Sequence, residues 1–236
     1  MKALKLILGI GCFFLAVTIQ AQEIIATATE GNLEQVKEQL IKNTQLVNVK
    51  DASGRTPLHW AARGKHFEVL KFLLENGADA NAKDNNSITA LASSVSRNHL
   101  EAVELLISRG ALLNELDNNK EAPLHYAAAR GYVEIVEALL KGNAQLDLKN
   151  SYGRTPLLLA ARESGNFEIV KMLVESGAEI DAIDNNLDTP LSLAAWRGYE
   201  DIVNYLLENN ALLPDSGLKA KALFAYSLNK KLCKLY

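Results

Sequence analysis

The chain has 236 residues, 48% of them apolar, and a formal net charge of −3. That apolar share can bury a core, and a mildly acidic chain without a basic stripe excludes a reader of nucleic-acid phosphates. Two cysteines are too few for a disulfide framework, so stability rests on packing.

In chain order, residues 1–21 come first and differ in character from the rest of the chain. Lys2 and Lys5 precede an apolar run from Leu6 to Ile19, and Gln20-Ala21-Gln22-Glu23 makes a polar junction. A positive start, an apolar run of this length and a small residue before the junction are the marks of a secretory signal. A membrane span needs about 20 apolar residues, so an uncleaved anchor fits less well. Gly9-Ile10-Gly11-Cys12 resembles a lipoprotein signal only faintly. We therefore expect cleavage near Ala21, a secreted or periplasmic chain, and no membrane attachment afterwards. Loss of Lys2 and Lys5 takes the charge from −3 to −5, and Cys233 remains as a lone thiol, buried in the terminal cap or paired with another molecule.

Residues 22–55 contain Ala28-Thr29-Glu30-Gly31-Asn32-Leu33-Glu34-Gln35-Val36 and read as an N-terminal capping unit. Five similar segments span residues 56–215. They start at Thr56, Thr89, Ala122, Thr155 and Thr189 with spacings of 33, 33, 33 and 34, and a fixed period in this range means stacked units. In the first, Thr56 is an N-cap and Pro57 takes the first helical position, where its missing N–H is harmless. Four of the five prolines occupy this slot. Leu58, Ala61 and Ala62 follow at helical spacing. A second helix is predicted over Phe67–Glu75 with Val69, Leu70, Leu73 and Leu74 as its apolar stripe. It stops at Gly77, and the equivalent Gly110, Asn143, Gly177 and Asn210 are all residues that accept a left-handed cap. Turn-forming stretches such as Asp51-Ala52-Ser53-Gly54, Asp117-Asn118-Asn119 and Asp184-Asn185-Asn186 join the units. Residues 216–236 read as a C-terminal capping helix and tail.

Thr56-Pro57-Leu58-His59-Trp60-Ala61-Ala62, the paired leucines of the second helix and Gly77-Ala78-Asp79 give the chain a clear resemblance to ankyrin-repeat proteins, in particular exported bacterial ones. The resemblance implies an all-α ankyrin-repeat solenoid, each repeat a helix–turn–helix plus a β-hairpin loop, with degenerate caps at both ends. It also implies a cupped surface, with first helices as palm and loop tips as fingers, that binds a protein partner. In this family the histidine of the Thr-Pro-Leu-His slot, here His59 and His125, bonds neighbouring backbone.

Residues suited to chemistry all have repeat positions that explain them. His66 and His99 open second helices, and no spaced His or Cys set offers a metal site. Neither a Gly-x-Ser-x-Gly elbow nor a phosphate-cradling glycine loop is present. Glu68, Glu75, Glu101, Glu104, Glu134, Glu137, Glu168 and Glu175 mark a solvated outer face. We expect no enzyme and no cofactor.

The candidate partner-binding residues are Arg63, Arg97, Arg130 and Arg162 on the palm, Tyr152 and Arg154 on a finger, and Trp196 and Arg197 at the end of the last first helix. An arginine recurs in every repeat, and Arg, Trp and Tyr dominate interface energetics. Such a surface suits a monomeric scaffold engaging an acidic protein partner. A protective or immunity factor shielding a toxin or stress-related enzyme, and an envelope adaptor retaining residues 1–21, are the alternatives. The bland reading leaves the arginines solvated, and Trp60 and Tyr126 read as packing residues. Glu163-Ser164-Gly165 lengthens one inter-helix turn and reads as a tolerated insertion. The second repeat departs most from the pattern, with Ala90, Ser93, Ser94, Val95 and Ser96, so Ala90→Pro and Val95→Ala are expected to stabilise it.

Overall fold

Three of the five repeats begin where a threonine side chain supplies the partner that a helix N-terminus lacks. In the computed structural model, which describes residues 19–213, Thr89 accepts from the Ala92 N–H at 3.2 Å, Thr155 from Leu158 at 3.4 Å and Thr189 from Ser192 at 3.1 Å. Lys2, Lys5, Cys12 and most of the expected signal lie outside the described residues, as do Cys233 and the expected cap over 216–236.

The described helices are α1 (residues 19–30), α2 (Leu33–Lys42), α3 (Pro57–Gly64), α4 (Phe67–Glu75), α5 (Ala90–Ser96), α6 (Leu100–Ser108), α7 (Pro123–Arg130), α8 (Val133–Lys141), α9 (Pro156–Leu159), α10 (Phe167–Glu175), α11 (Pro190–Arg197) and α12 (Glu200–Glu208). A 3₁₀ turn (Thr44–Asn48) succeeds α2, and a π turn (Ala160–Ser164) extends α9. The described residues form two compact units, unit 1 up to Leu112 and unit 2 from Leu113. Within unit 1, α3 packs on α4 and α5, α5 on α6, and α4 on both α2 and α6. Within unit 2, α7 packs on α8 and α9, α10 on both α8 and α12, and α11 on α12. First helices thus stack on first helices and second on second, because a nine-residue helix has too little internal stability to stand alone.

The second helices bury one stripe each: Val69, Leu70 and Leu73 in α4, then Ala102, Val103 and Leu106, Ile135, Val136 and Leu139, Ile169, Val170 and Leu173, and Ile202, Val203 and Leu206. Leu74, expected in this stripe, is only half-buried. The expected left-handed stops all occur, with φ of 87° at Gly77, 80° at Gly110, 63° at Asn143, 94° at Gly177 and 65° at Asn210. The N-terminal unit is a helical pair in which Ile24, Ala28, Val36 and Leu40 are core residues.

The expected β-hairpins are realised as tight turns, with no strand among the described residues. The cause is a side chain. In the first loop the Asp51 N–H reaches the Arg55 carbonyl at 2.9 Å, but the returning Arg55 N–H goes to the Asp51 carboxylate, also at 2.9 Å. A β ladder needs that second bond to reach a backbone carbonyl.

Candidate binding surface

The five loops repeat one device. Asp51, Asp84, Asp117, Asn150 and Asp184 each accept, on one side-chain oxygen, the N–H groups two and four residues ahead. In the four aspartates the second oxygen is then free to reach elsewhere, and in Asn150 the amide NH₂ takes its place. Asp51 takes the Trp60 indole N–H at 2.9 Å and Asp117 the Tyr126 hydroxyl at 2.5 Å, which fixes both rings beside the first helix. Asp84 takes Arg55 Nε at 3.1 Å, and Asp184 takes Arg154 Nε at 3.2 Å. Burial, then the bond and charge of Asp117, push the Tyr126 hydroxyl well above its usual range.

Adjacent loops are also pinned by backbone. The Asn85 N–H donates to the Ser53 carbonyl at 2.9 Å, and Asn185 to Tyr152 at 3.0 Å. The Asn85 and Asn185 amides donate to Ala52 and Ser151 carbonyls. Much of the polarity at the finger tips therefore serves the stack, a role that turn-forming composition does not disclose.

The histidines hold repeats together as the resemblance implies. His59 Nδ1 accepts the Thr56 N–H at 3.1 Å, and its Nε2 lies 3.0 Å from the Ile88 carbonyl one repeat on. His125 does the same with the Ala122 N–H at 3.1 Å and the Leu148 and Arg154 carbonyls at 2.9 and 3.1 Å. Burial lowers the pKa of both imidazoles, partly offset by these carbonyls. His66 and His99 reach back one repeat instead, to the Thr29 and Ala62 carbonyls at 2.8 and 2.9 Å.

The arginines differ in their surroundings. Arg63, Arg97, Arg130 and Arg197 are exposed, and Arg162 is half-buried. Arg63 stands 6.0 Å and Arg55 5.1 Å from the Trp60 ring centre, Arg130 5.4 Å from Tyr126, Arg154 5.3 Å from Tyr152, and Arg197 4.8 Å from Trp196. Each is a cation–π geometry. Tyr152 and Trp196 are both 63% exposed. Arg154 is already paired to Asp184. Glu163 lies 3.4 Å from Arg162 and 3.9 Å from Arg197. The insertion that carries Glu163 forms the π turn, closed by the Gly165 N–H on the Ala160 carbonyl at 3.0 Å. It therefore sets an acid among the candidate residues, which spacing alone had not revealed. Trp60 and Tyr126, read as packing residues, are half-buried and form part of the arginine stacks.

Among the described residues no group of three or more His, Cys, Asp or Glu could hold a metal ion, and no helix is long and apolar enough to cross a membrane. What varies from repeat to repeat is the set of side chains on first helices and loop tips. That arrangement is an all-α helical-repeat fold. Residues 7–84, 23–117, 77–150, 111–184 and 143–215 each match the family model described as ankyrin repeats (3 copies). The chain belongs to the ankyrin-repeat family, whose members generally mediate protein–protein contact and are generally not enzymes. No curated protein matches the sequence closely enough to serve as a relative.

Proposed function

We propose that the chain is an exported, non-catalytic scaffold that binds an acidic protein partner through the arginines and aromatic rings of its first helices. The observation that carries this reading is the stacking of Arg63 on Trp60, Arg130 on Tyr126 and Arg197 on Trp196. A ring held beside a guanidinium pre-organises it, so less side-chain entropy is lost when a partner carboxylate docks. An exposed tryptophan with no hydrogen-bonding role in its own unit is a fitting anchor. Export rests on the basic start and apolar run of residues 1–21. Cleavage after Ala21 keeps Ile24 and Ala28, both fully buried, so the N-terminal helical pair retains its core contacts.

The test is capture of envelope partners by the full chain and its variants. Trp196→Ala is expected to weaken binding by about 2 kcal/mol or more, and Arg130→Glu to slow association and flatten its salt dependence. Glu137→Lys on the outer face of α8, where Glu137 pairs with Lys141 at 2.7 Å, is expected to bind normally. Normal binding by the first-helix variants with loss in Glu137→Lys places the partner on the outer helices. N-terminal sequencing of envelope protein is expected to begin near Gln22, and an intact Met1 in the cytoplasm refutes export.

A further inference from the structure

We infer that unit 1 carries a carboxylate-binding notch, formed by Arg63, Arg97, Trp60 and Ser93, that seats an Asp or Glu side chain from an acidic segment of a protein partner. The inference rests on the protein-binding reading and sharpens it to one site and one ligand chemistry.

Unit 2 supplies the template. Arg162 stands seven residues after its N-cap Thr155, and Arg197 eight after Thr189. Glu163 lies between them, with Oε1 3.4 Å from Arg162 Nη1 and Oε2 3.9 Å from Arg197 Nη2. The protein thus displays a carboxylate bridging two arginines of successive repeats. In unit 1, Arg63 stands seven residues after Thr56 and Arg97 eight after Thr89, so this pair occupies the same two repeat positions. The residue that corresponds to Glu163 is Gly64, which has no side chain to offer. Arg63 and Arg97 are exposed and form no ion pair among the described residues. Partial burial, then the charges of Arg97 and Arg55, lower the proton affinity of Arg63, as expected of a cationic pair without a counter-ion.

The walls fit a carboxylate on an amino-acid side chain. Trp60 is locked by its indole bond to Asp51 at 2.9 Å, and Arg55, which also stacks on the ring, is neutralised by Asp84 at 3.1 Å. The charge left for a ligand is that of Arg63 and Arg97. In the next repeat the position of Trp60 is taken by Ser93, where other repeats have Tyr126, Leu159 and Leu193. Serine carries less bulk than the aromatic or leucine at this position elsewhere, which suits the methylene stem of a Glu or Asp, while guanidinium forks match carboxylate geometry. A long polyanion fits poorly, because Glu68, Glu75, Glu101 and Glu104 are exposed on the second helices of this unit and the chain is negative overall.

The test uses the full chain with Trp196→Phe, which leaves Trp60 as its sole tryptophan. Titration with a short Asp/Glu-rich peptide is expected to change Trp60 fluorescence saturably. Arg63→Gln and Arg97→Gln are each expected to weaken this binding about tenfold, with Arg63→Lys falling between Gln and wild type. Arg109→Gln, which removes an arginine that caps α6 and pairs with Glu75, is expected to leave peptide binding unchanged. Glu163→Gln frees the equivalent arginines of unit 2 and is expected to add a second binding event by calorimetry. Circular dichroism melts confirm that each variant is folded. Absence of peptide binding, or binding indifferent to both Arg→Gln variants, overturns the notch. So does stronger competition by a single-stranded oligonucleotide than by the peptide. If the captured partner binds Arg63→Gln and Arg97→Gln normally but loses Trp196→Ala, the notch falls and the protein-binding reading stands. If neither set of variants affects capture, the reading itself falls.

Discussion

The Asn150 side-chain amide donates to the Glu121 carboxylate at 3.2 Å, the reverse of what neighbouring loops do. In those, an arginine donates to an aspartate, Arg55 to Asp84 and Arg154 to Asp184. Where the loop acid becomes Asn, its partner changes from arginine to acid, so each pair keeps one donor and one acceptor. Burial, then the Asp117 charge among other causes, holds the Glu121 carboxyl above its usual range even with the Asn150 bond opposing.

Asn150→Asp keeps the oxygen that accepts the Tyr152 and Arg154 N–H groups but removes the donor to Glu121. We expect a loss of about 1–2 kcal/mol in thermal or urea unfolding at neutral pH. The double variant Asn150→Asp with Glu121→Arg gives the arginine–aspartate pairing seen at Arg55–Asp84 and Arg154–Asp184 and is expected to recover most of the loss. An unchanged melt for the single variant would contradict this account.

Acid sensitivity follows from the buried histidines. Their folded pKa values lie below 6.5, so the unfolded chain binds more protons between the two values and stability rises with pH there. Their contribution is full above about pH 6.5 and is lost as pH falls towards the folded pKa. His125→Ala leaves the Ala122 N–H and facing carbonyls without their partner, at a cost of about 1–3 kcal/mol. It is also expected to flatten the dependence of Tm on pH between neutrality and mild acid, which a pH series of melts reads directly.

Gly153 has φ of 75°, and an added Cβ would collide with Asn185 Oδ1 and stand 2.9 Å from the Asn185 backbone N. Gly153→Ala is therefore expected to lower stability by about 1–3 kcal/mol, from left-handed strain plus the clash. Lys120 holds the corresponding place one repeat earlier at φ of 59°. Lys120→Gly relieves strain there and is expected to gain up to about 1 kcal/mol. Parallel chemical denaturation of the two variants tests the opposite signs.

The second repeat separates two substitutions that sequence comparison had joined. Ala90 takes the first position of α5, where Pro57, Pro123, Pro156 and Pro190 stand in other repeats, all of them buried. Ala90→Pro is expected to add about 0.4–1 kcal/mol. Val95, by contrast, is fully buried, so Val95→Ala removes packed methyl groups and is expected to destabilise by about 1 kcal/mol or more. A rise in Tm for Val95→Ala would show that the valine is overpacked.

The α4 bounds and the five left-handed stops were legible in the amino-acid sequence, whereas the backbone role of His59 and His125 came from the family resemblance. Caps, prolines and φ preferences act within a few residues, so a 33-residue period carries them from repeat to repeat. The loops were legible as turns but not as strandless ones, because the carboxylate that intercepts the Arg55 N–H is invisible in a turn propensity.

The sequence by itself determined the helical repeat, its punctuation and the positions whose side chains vary. The tertiary structure decided which of those side chains remain available. Arg154 is bound to Asp184, thirty residues on, while Arg162 and Arg197 share Glu163, which a π turn brings between them. Arg63 and Arg97 carry the same residue type at the same offsets and have no such acid among the described residues. Charge pairing depends on distance across the stack, and a single inserted residue changes that distance without altering the local pattern from which a sequence is read.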